Sequence, residues 1–291
     1  MGCKEPLELG RAAIKRNTRY LAQGMICVYN LGMRETFDID KHIRELKTDG
    51  LTYLPGAYTA KDCESYIGKS KALAEQYARE GIIDLDRDSY NLLNNFRRDH
   101  DMLPLICHPH ADSILKTFLN DDYVLINSNL INRFRRSASV STEVKHAGHW
   151  HSDSRYLGGK RLSNGFSFVG IVMLESFGSD NGATHYVPGS HDNAHTGFPE
   201  RYGTYEHKYI QGDAGTIALF DSALWHRGGL ASDKRSRWSV FNTYGPSFMK
   251  PYFWFPTMLG EEFGKTLDPT LRRLFHFDSM MLVDETRGFR H

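Results

Sequence analysis

Several features that would assign a chain to a special class are scarce or absent here. The sequence contains only 4 cysteines, at positions 3, 27, 63 and 107, and no two are spaced as a C-x-x-C pair. This spacing argues against a zinc site and against a disulfide framework. No apolar run approaches the length of a membrane span, and we expect neither a signal peptide nor a myristoylation site at the start of the chain.

The chain also lacks an excess of either charge. Lysine and arginine (36) nearly balance aspartate and glutamate (35), so no net field would attract nucleic acid or an acidic membrane. We therefore expect a cytoplasmic protein that acts on a small-molecule substrate and binds neither nucleic acid nor a membrane. The sequence does not decide between a monomer and a homodimer.

Hydrophobic residues make up 40% of the 291 positions, which is enough for a large core. The sequence shows no internal repeat, no low-complexity tract and no interdomain linker. We expect one domain over residues 1–291, with a helical N-terminal part to about residue 120. We expect the core of this domain over residues of about 120–245 and a C-terminal tail over residues 246–291.

Residue patterns predict the elements of this domain. Alternating or continuous apolar runs predict strands at residues 51–54, 123–135, 166–175, 184–187, 216–220 and 236–244. Helical spacing predicts helices at residues 39–46, 60–79, 89–96, 111–119 and 269–275, and Thr59 with Asp62 resembles a capping box. Strands separated by glycine-rich turns and loops favour a mainly β fold, an antiparallel jelly roll with flanking α-helices.

The segment His149-Trp150-His151-Ser152-Asp153 carries the pattern most informative about function. Side chains alternate faces on a strand, so His151 and Asp153 would point to the same side. One imidazole and one carboxylate are two ligands of the 2-His-1-carboxylate triad, which binds Fe(II) and leaves positions open for chemistry. The best candidate for the third ligand is His226, which follows another predicted strand.

Arg237 lies within the predicted strand at residues 236–244, on the same face as Ser239 and Phe241. A buried arginine needs an anion, because an unpaired charge is costly there. A carboxylate is the best geometric partner of a guanidinium, and no protein carboxylate is obvious in the sequence. We therefore expect a cosubstrate with a carboxylate at Arg237. Arg235 has the same strand parity and is the second candidate.

These residues, taken together, resemble the phytanoyl-CoA hydroxylase family, a branch of the Fe(II)/2-oxoglutarate-dependent oxygenases. The pair His151-x-Asp153 is followed by the motif Asn-Gly-x-x-x-x-Val-Pro-Gly-Ser-His at residues 181–191, and then by His226 and Arg237. Residues 46–56 also resemble the helix–strand segment near the N-terminus of that family. The resemblance covers most of residues 39–245.

The resemblance implies a double-stranded β-helix, which is a jelly roll, with Fe(II) on His151, Asp153 and His226. It also implies that Arg237 pairs with the distal carboxylate of 2-oxoglutarate and that O2 is consumed. Succinate and CO2 would be released, and hydroxylation of a C–H bond is the default outcome. Desaturation, epoxidation and ring formation stay open.

Two other interpretations use the same residues. His149 and His151 would form a cupin-type metal pair in a non-oxygenase metal-binding protein, with Asp153 outside the site. The family resemblance disfavours this pair and makes His149 a residue beside the ligands or at the mouth of the barrel. Related halogenases replace the carboxylate ligand by a small residue, so the intact Asp153 argues against halogenation.

We expect a small organic metabolite as the substrate, and an acyl-CoA is the second choice. The near-neutral charge disfavours a CoA thioester, although Lys160-Arg161 would meet one phosphate. Residues 137–149 and 154–164 flank the ligand segment and are expected to set specificity. The second loop contains Gly158-Gly159, which would let it close as a lid.

Overall fold

The computed structural model describes residues 37–86, 89–133, 148–154, 166–192, 199–229 and 237–279. The predicted specificity loops lie largely outside these residues. Arg235 and the Lys160-Arg161 pair lie wholly outside them.

The helices start where the sequence offers capping groups. Asp38 accepts a hydrogen bond from the backbone of Lys41, and Thr59 forms the predicted capping box with Asp62. The described residues form six α-helices: α1 (Ile39–Thr48), α2 (Ala60–Arg79), α3 (Pro109–Leu119), α4 (Phe255–Leu259), α5 (Glu261–Gly264) and α6 (Pro269–Leu274). None of these helices is long and apolar enough to span a membrane.

The strands form two antiparallel sheets. The described strands are β1 (Leu51–Leu54), β2 (Ser89–Leu93), β3 (Val124–Arg133), β4 (Phe168–Met173), β5 (His185–Tyr186), β6 (Lys208–Tyr209), β7 (Ile217–Asp221), β8 (His226–Arg227) and β9 (Arg237–Gly245). The main sheet has the order β1-β7-β4-β9-β3-β2, and the small sheet has the order β6-β5-β8. The predicted jelly-roll core with flanking helices is confirmed.

One predicted element is wrong. The pattern at residues 89–96 predicts a short helix, but Ser89–Leu93 is strand β2 and a 3₁₀-helix follows at Asn95–Arg97. Pairing with β3 supplies the backbone hydrogen bonds of β2, and this tertiary partner overrides a weak local pattern. Strands β1 and β2 therefore join the main sheet from before residue 120, while the one-domain organisation stays a prediction.

The main sheet has two unlike faces. Its outer face, with Leu130, Trp238 and Val240, belongs to the large apolar cluster that also contains residues of α2, α3 and α6. Its inner face, with Val169 and Phe220, belongs to a smaller cluster inside the barrel. Most of the apolar core therefore lies outside the barrel, and the barrel interior is left for other side chains.

Candidate metal centre

Two distant segments meet where the candidate ligands lie. The backbone N–H of His151 donates to the carbonyl of His226 at 3.0 Å, and the N–H of His226 donates back at 2.9 Å. This exchange is a single antiparallel bridge, so the ligand segment is not the regular strand that its spacing suggests. The bridge nevertheless places both imidazoles side by side, with ring centroids 4.3 Å apart.

Ser222 holds the carboxylate segment in place. Its carbonyl accepts hydrogen bonds from the N–H of Asp153 at 2.9 Å and from Oγ of Ser152 at 3.2 Å. Its hydroxyl lies 2.6 Å from Oγ of Ser154 and also contacts Oγ of Ser167. These bonds fix the backbone on both sides of Asp153, so its side chain turns towards the two histidines.

The three side chains converge as a metal donor set. Nε2 of His151 lies 3.8 Å from Oδ1 of Asp153, and Nε2 of His226 lies 3.6 Å from Oδ2. One ligand atom from each residue lies within 4.8 Å of the others, and this is the only such His/Cys/Asp/Glu group within the described part of the chain. The structure therefore brings the three predicted ligands together.

Both histidines have their second nitrogen occupied. Nδ1 of His151 lies 2.9 Å from the carbonyl oxygen of His149, and Nδ1 of His226 lies 2.8 Å from that of Leu224. A carbonyl only accepts, so each Nδ1 carries the proton and each Nε2 offers a lone pair towards Asp153. Such outer hydrogen bonds orient histidine ligands and raise their basicity.

The donor set opens on one side. The His226 side chain is 9% exposed, whereas those of His151 and Asp153 are 31% and 41% exposed. Burial, and then the neighbouring charge of His226, lower the pKa of His151 from its usual range. The neutral imidazole that a metal requires is therefore favoured, and the exposed side leaves space for further ligands.

The motif at residues 181–191 positions His226 through its neighbour Trp225. The N–H of Val187 donates to the carbonyl of Trp225 at 2.9 Å, and the N–H of Trp225 donates to Oγ of Ser190 at 2.8 Å. His191 is 2% exposed, and its Nε2 lies 3.2 Å from the carbonyl oxygen of Lys47. The motif thus connects the ligand strand to helix α1.

Glycine at position 50 allows this contact. Gly50 has a φ of +78°, and a Cβ there would lie 2.6 Å from Nδ1 of His191. Two segments that the sequence places far apart, the helix–strand segment and the Val-Pro-Gly-Ser-His motif, therefore contact each other.

Arg237 occupies the inner face of β9. It is 1% exposed, and its Nε and Nη1 have no hydrogen-bond partner in the part of the chain that the structure describes. Its guanidinium carbon lies 4.1 Å from the centroid of the Phe177 ring. Burial, and then the charge of Arg133, lower the pKa of Arg237 to about 9. Burial of this kind favours an anion beside the guanidinium, and the cosubstrate carboxylate expected at Arg237 stays a prediction.

Sequence reasoning missed several residues that build the site. Ser222 acts mainly through its backbone carbonyl, and His149 and Leu224 act through theirs, which leaves no residue-type signal. Arg133 lies opposite Arg237 in the β3–β9 register, and a Cβ at Gly228 would lie 2.8 Å from Nη1 of Arg133. Arg133 lies beside β8, the strand of His226, because of the register in which distant strands pair, and local sequence patterns do not predict that register.

Known proteins share both the sequence pattern and the fold. The family model described as phytanoyl-CoA dioxygenase (PhyH) matches residues 46–238. The dioxygenase af480 of Aspergillus fumigatus is 25% identical over 255 residues, which are 82% of this chain and 77% of the relative. The uncharacterized protein Mb1539 of Mycobacterium bovis is 31% identical over 108 residues, 34% of this chain and 37% of the relative.

Solved structures of similar fold include two enzymes crystallised with a metal and a cosubstrate. HygX from Streptomyces hygroscopicus, with nickel and 2-oxoglutarate bound, has a TM-score of 0.57 at 15% identity over 73% of this chain and 89% of HygX. The epimerase SnoN, in complex with Fe3+, alpha ketoglutarate and nogalamycin RO, has a TM-score of 0.55 at 14% identity over 73% of this chain and 86% of SnoN. At these identities the likeness shows a shared fold.

The family model covers most of the chain and includes His151, Asp153, His226 and Arg237. The predicted enzyme class is confirmed: the chain belongs to the phytanoyl-CoA dioxygenase family and is an iron- and 2-oxoglutarate-dependent dioxygenase.

Proposed function

We propose that this dioxygenase hydroxylates a C–H bond of a small organic metabolite, with Fe(II) on His151, Asp153 and His226. The observation that carries the proposal is the convergence of two Nε2 atoms and one carboxylate within 4.8 Å. Two imidazoles and one carboxylate on one face form the donor set that suits non-haem Fe(II) and leaves positions open. Bound Fe(II) with 2-oxoglutarate and O2 supplies the oxidant for the C–H bond, and succinate and CO2 are released.

The protein's own groups prepare this site before any ligand binds. The carbonyls of His149 and Leu224 hold the Nδ1 protons of the two histidines, so neither imidazole must rotate or change tautomer. The ring of Phe220 lies 5.2 Å from the ring of His226 and helps to exclude water on the buried side. The open side, next to His151 and Asp153, is left for cosubstrate and substrate.

Arg237 is proposed to bind the distal carboxylate of 2-oxoglutarate. Two of its guanidinium nitrogens, Nε and Nη1, have no partner within the described residues, so the group can donate charge-assisted hydrogen bonds to a carboxylate. The Phe177 ring under the guanidinium fixes its plane. Arg237 therefore orients the cosubstrate from inside the barrel.

The rival interpretations receive less support. The side chain of His149 is exposed and does not belong to the group of His151, Asp153 and His226, which disfavours the cupin-type pair. An acyl-CoA substrate stays the second choice, because the near-neutral charge of the chain offers its phosphates no long basic tract.

The test compares Asp153→Ala with His149→Ala in the purified protein. Loss of a residue that only orients a ligand costs 10- to 100-fold in metal affinity, so loss of the ligand Asp153 is expected to cost roughly 100-fold or more. His149→Ala keeps the carbonyl that accepts from His151 and is expected to bind Mn(II) like the wild type. Calorimetric titration with Mn(II) measures both, and succinate release from 2-oxoglutarate with Fe(II) follows turnover.

The opposite pattern would favour the cupin-type pair. If His149→Ala lost the metal while Asp153→Ala retained it, the proposed ligand set would be wrong. Circular dichroism of both variants distinguishes a lost ligand from a lost fold.

A further inference from the structure

The inward-facing side chains of β3 are partly exposed, although the strand lies within the main sheet. Its inward-facing residues Asn129, Ile131 and Arg133 are partly exposed, whereas the intervening Leu130 and Asn132 are buried. Helices cover the outward residues, so the exposure of the alternate set arises from a cleft inside the barrel. A molecule that enters this cleft contacts the inward row of β3.

The neighbouring strand continues the cleft. On β9, Phe241 and Thr243 are partly exposed on the inner face, and Arg237 lies on the same face but is 1% exposed. Arg133 and Arg237 are direct register partners, so their Cβ atoms lie about 5 Å apart. The cleft therefore contains two arginines, one deep and one facing the open space.

Two adjacent guanidinium groups in a partly dry cleft are unfavourable unless anions are present. Burial lowers the pKa of Arg133, and burial together with Arg133 lowers that of Arg237. None of the ion pairs formed among the described residues includes either arginine, whereas Lys69, Arg98 and Arg273 each have a carboxylate within 3.4 Å. The cleft thus favours two negative groups, and the protein supplies neither in its described part.

2-Oxoglutarate carries two carboxylates, but its keto acid end would bind the metal, so only the distal carboxylate is left for the arginines. The distal carboxylate of 2-oxoglutarate, as proposed above, occupies the fork of the deep Arg237. Arg133 lies against Gly228, two residues after His226, and therefore beside the metal centre on the open side of the cleft. Asn129, on the same inner row, carries a buried Oδ1 that has no hydrogen-bond partner among the residues the structure describes.

We propose that Arg133 binds a carboxylate of the primary substrate beside the metal, and that Asn129 accepts a hydrogen bond from the same molecule. This assignment rests on the proposed function and names its substrate class: an acidic, hydrogen-bonding metabolite whose carboxylate lies near the oxidised carbon. An acyl-CoA does not fit, because its thioester end is uncharged and its phosphates lie far from the reacting carbon.

The experiment uses benzoate and benzamide, which have the same shape and differ in one charge. The full chain is loaded with Mn(II) and saturating 2-oxoglutarate, and broadening of the probe's proton NMR lines by Mn(II) reports binding close to the metal. Benzoate is expected to bind about tenfold or more tightly than benzamide, as a charge-assisted pair requires. Arg133→Gln is expected to abolish this preference and to leave the affinity for 2-oxoglutarate within about twofold of the wild type.

The matched control is Arg98→Gln, which removes a guanidinium that pairs with Glu80 at 2.6 Å, away from the cleft. It is expected to retain the preference for benzoate. Arg133→Gln is also expected to unfold at the same or a higher temperature than the wild type without ligands, because it removes a cation beside Arg237 that forms no ion pair with any described residue. A clear loss of stability would assign Arg133 a structural role and would overturn the proposal.

Two binding outcomes also contradict the proposal. If Arg133→Gln weakens 2-oxoglutarate as strongly as a change at Arg237, Arg133 belongs to the cosubstrate. If benzoate binds no better than benzamide to the wild type, or equally well to Arg133→Gln, no carboxylate site exists there. Failure of the wild type to bind Mn(II) or 2-oxoglutarate would instead refute the proposed function, so the two failures are distinguishable.

Discussion

Strands β3 and β9 present two faces that are built from alternate residues of the same segments but have different roles. The outer face of β9 contains Trp238 and Val240, which are buried in the large apolar cluster. The inner face contains the partly exposed Phe241 and the buried Arg237, two of whose nitrogens have no partner within the described ranges. Successive side chains of these strands thus point alternately into the outer apolar cluster and into the inner cleft that contains the arginines.

Polar side chains emphasise this difference. On the outer face the amide of Asn242 donates to the carbonyl of Leu105 at 2.7 Å, and that of Asn132 donates to the hydroxyl of Tyr90 at 3.0 Å. These donors serve the fold. On the inner face two guanidinium nitrogens of Arg237 have no partner among the described residues, and we propose that they bind the cosubstrate, so we expect substitutions on the two faces to separate stability from binding.

The largest effect is expected on the outer face. Trp238→Ala removes a side chain that is 1% exposed and packs edge-on against Tyr90. Truncation of a buried tryptophan typically costs about 3–5 kcal/mol in the free energy of unfolding. Urea unfolding measures this loss, while the affinity of the remaining folded protein for Mn(II) and 2-oxoglutarate should stay unchanged. A parallel loss of affinity would show that the two faces are not separable.

Substitution of Arg237, the residue before Trp238, should weaken cosubstrate binding rather than stability. Arg237→Lys keeps the charge but loses the planar fork, so the affinity for 2-oxoglutarate should fall by about 1.5–3 kcal/mol, roughly tenfold to a hundredfold in KM. The midpoint of unfolding without ligands should change little. Steady-state kinetics with varied 2-oxoglutarate measures the effect.

Arg235→Lys is the matched control for this change, because it makes the same substitution two residues earlier, at the second candidate from the sequence. It should leave the KM for 2-oxoglutarate unchanged. If the loss appeared in Arg235→Lys and not in Arg237→Lys, the assignment would be two residues out of register.

The smallest effect concerns the helices that cover the outer face. His108 is the N-cap of α3 and is 1% exposed, and burial, followed by the charge of His110, lowers its pKa to about 4. In the unfolded chain this group titrates near its usual 6.5, so its contribution to stability is complete above that pH and is lost as the pH falls towards 4. At pH 5.5 the loss is about 1 kcal/mol.

His108→Asn should remove this pH dependence, since asparagine keeps an acceptor for the N-cap but does not titrate. Unfolding free energies at pH 7.5 and pH 5.5 give the comparison. The variant should gain about 1 kcal/mol relative to the wild type over this interval. Parallel changes in both proteins would mean that His108 is protonated in the folded state.

The sequence was informative wherever one residue type had one physical role. The capping box of α2 and the buried strand β4 carry such signals and lie where their patterns predict. The three candidate ligands also converge, although His151 and Asp153 do not lie on a regular strand. Strand β2 was predicted as a helix because its structure comes from pairing with β3. Local patterns do not contain that information.

Cross-strand register explains what sequence reasoning missed in the site. Arg133 appears in the sequence as one polar residue within a strand, and its role depends on lying opposite Arg237 and against Gly228. Ser222 acts mainly through its carbonyl, which every residue type has. These contacts connect positions far apart in the chain, so they become visible only once the strands are paired.

One measurement tests the central claim most directly: a crystal structure of the full chain with Mn(II) and 2-oxoglutarate. The account predicts the metal between Nε2 of His151, Nε2 of His226 and a carboxylate oxygen of Asp153. It also predicts the distal carboxylate of 2-oxoglutarate on the guanidinium of Arg237, with Arg133 facing the cleft. A metal on His149 and His151, or the distal carboxylate on Arg133, would contradict it.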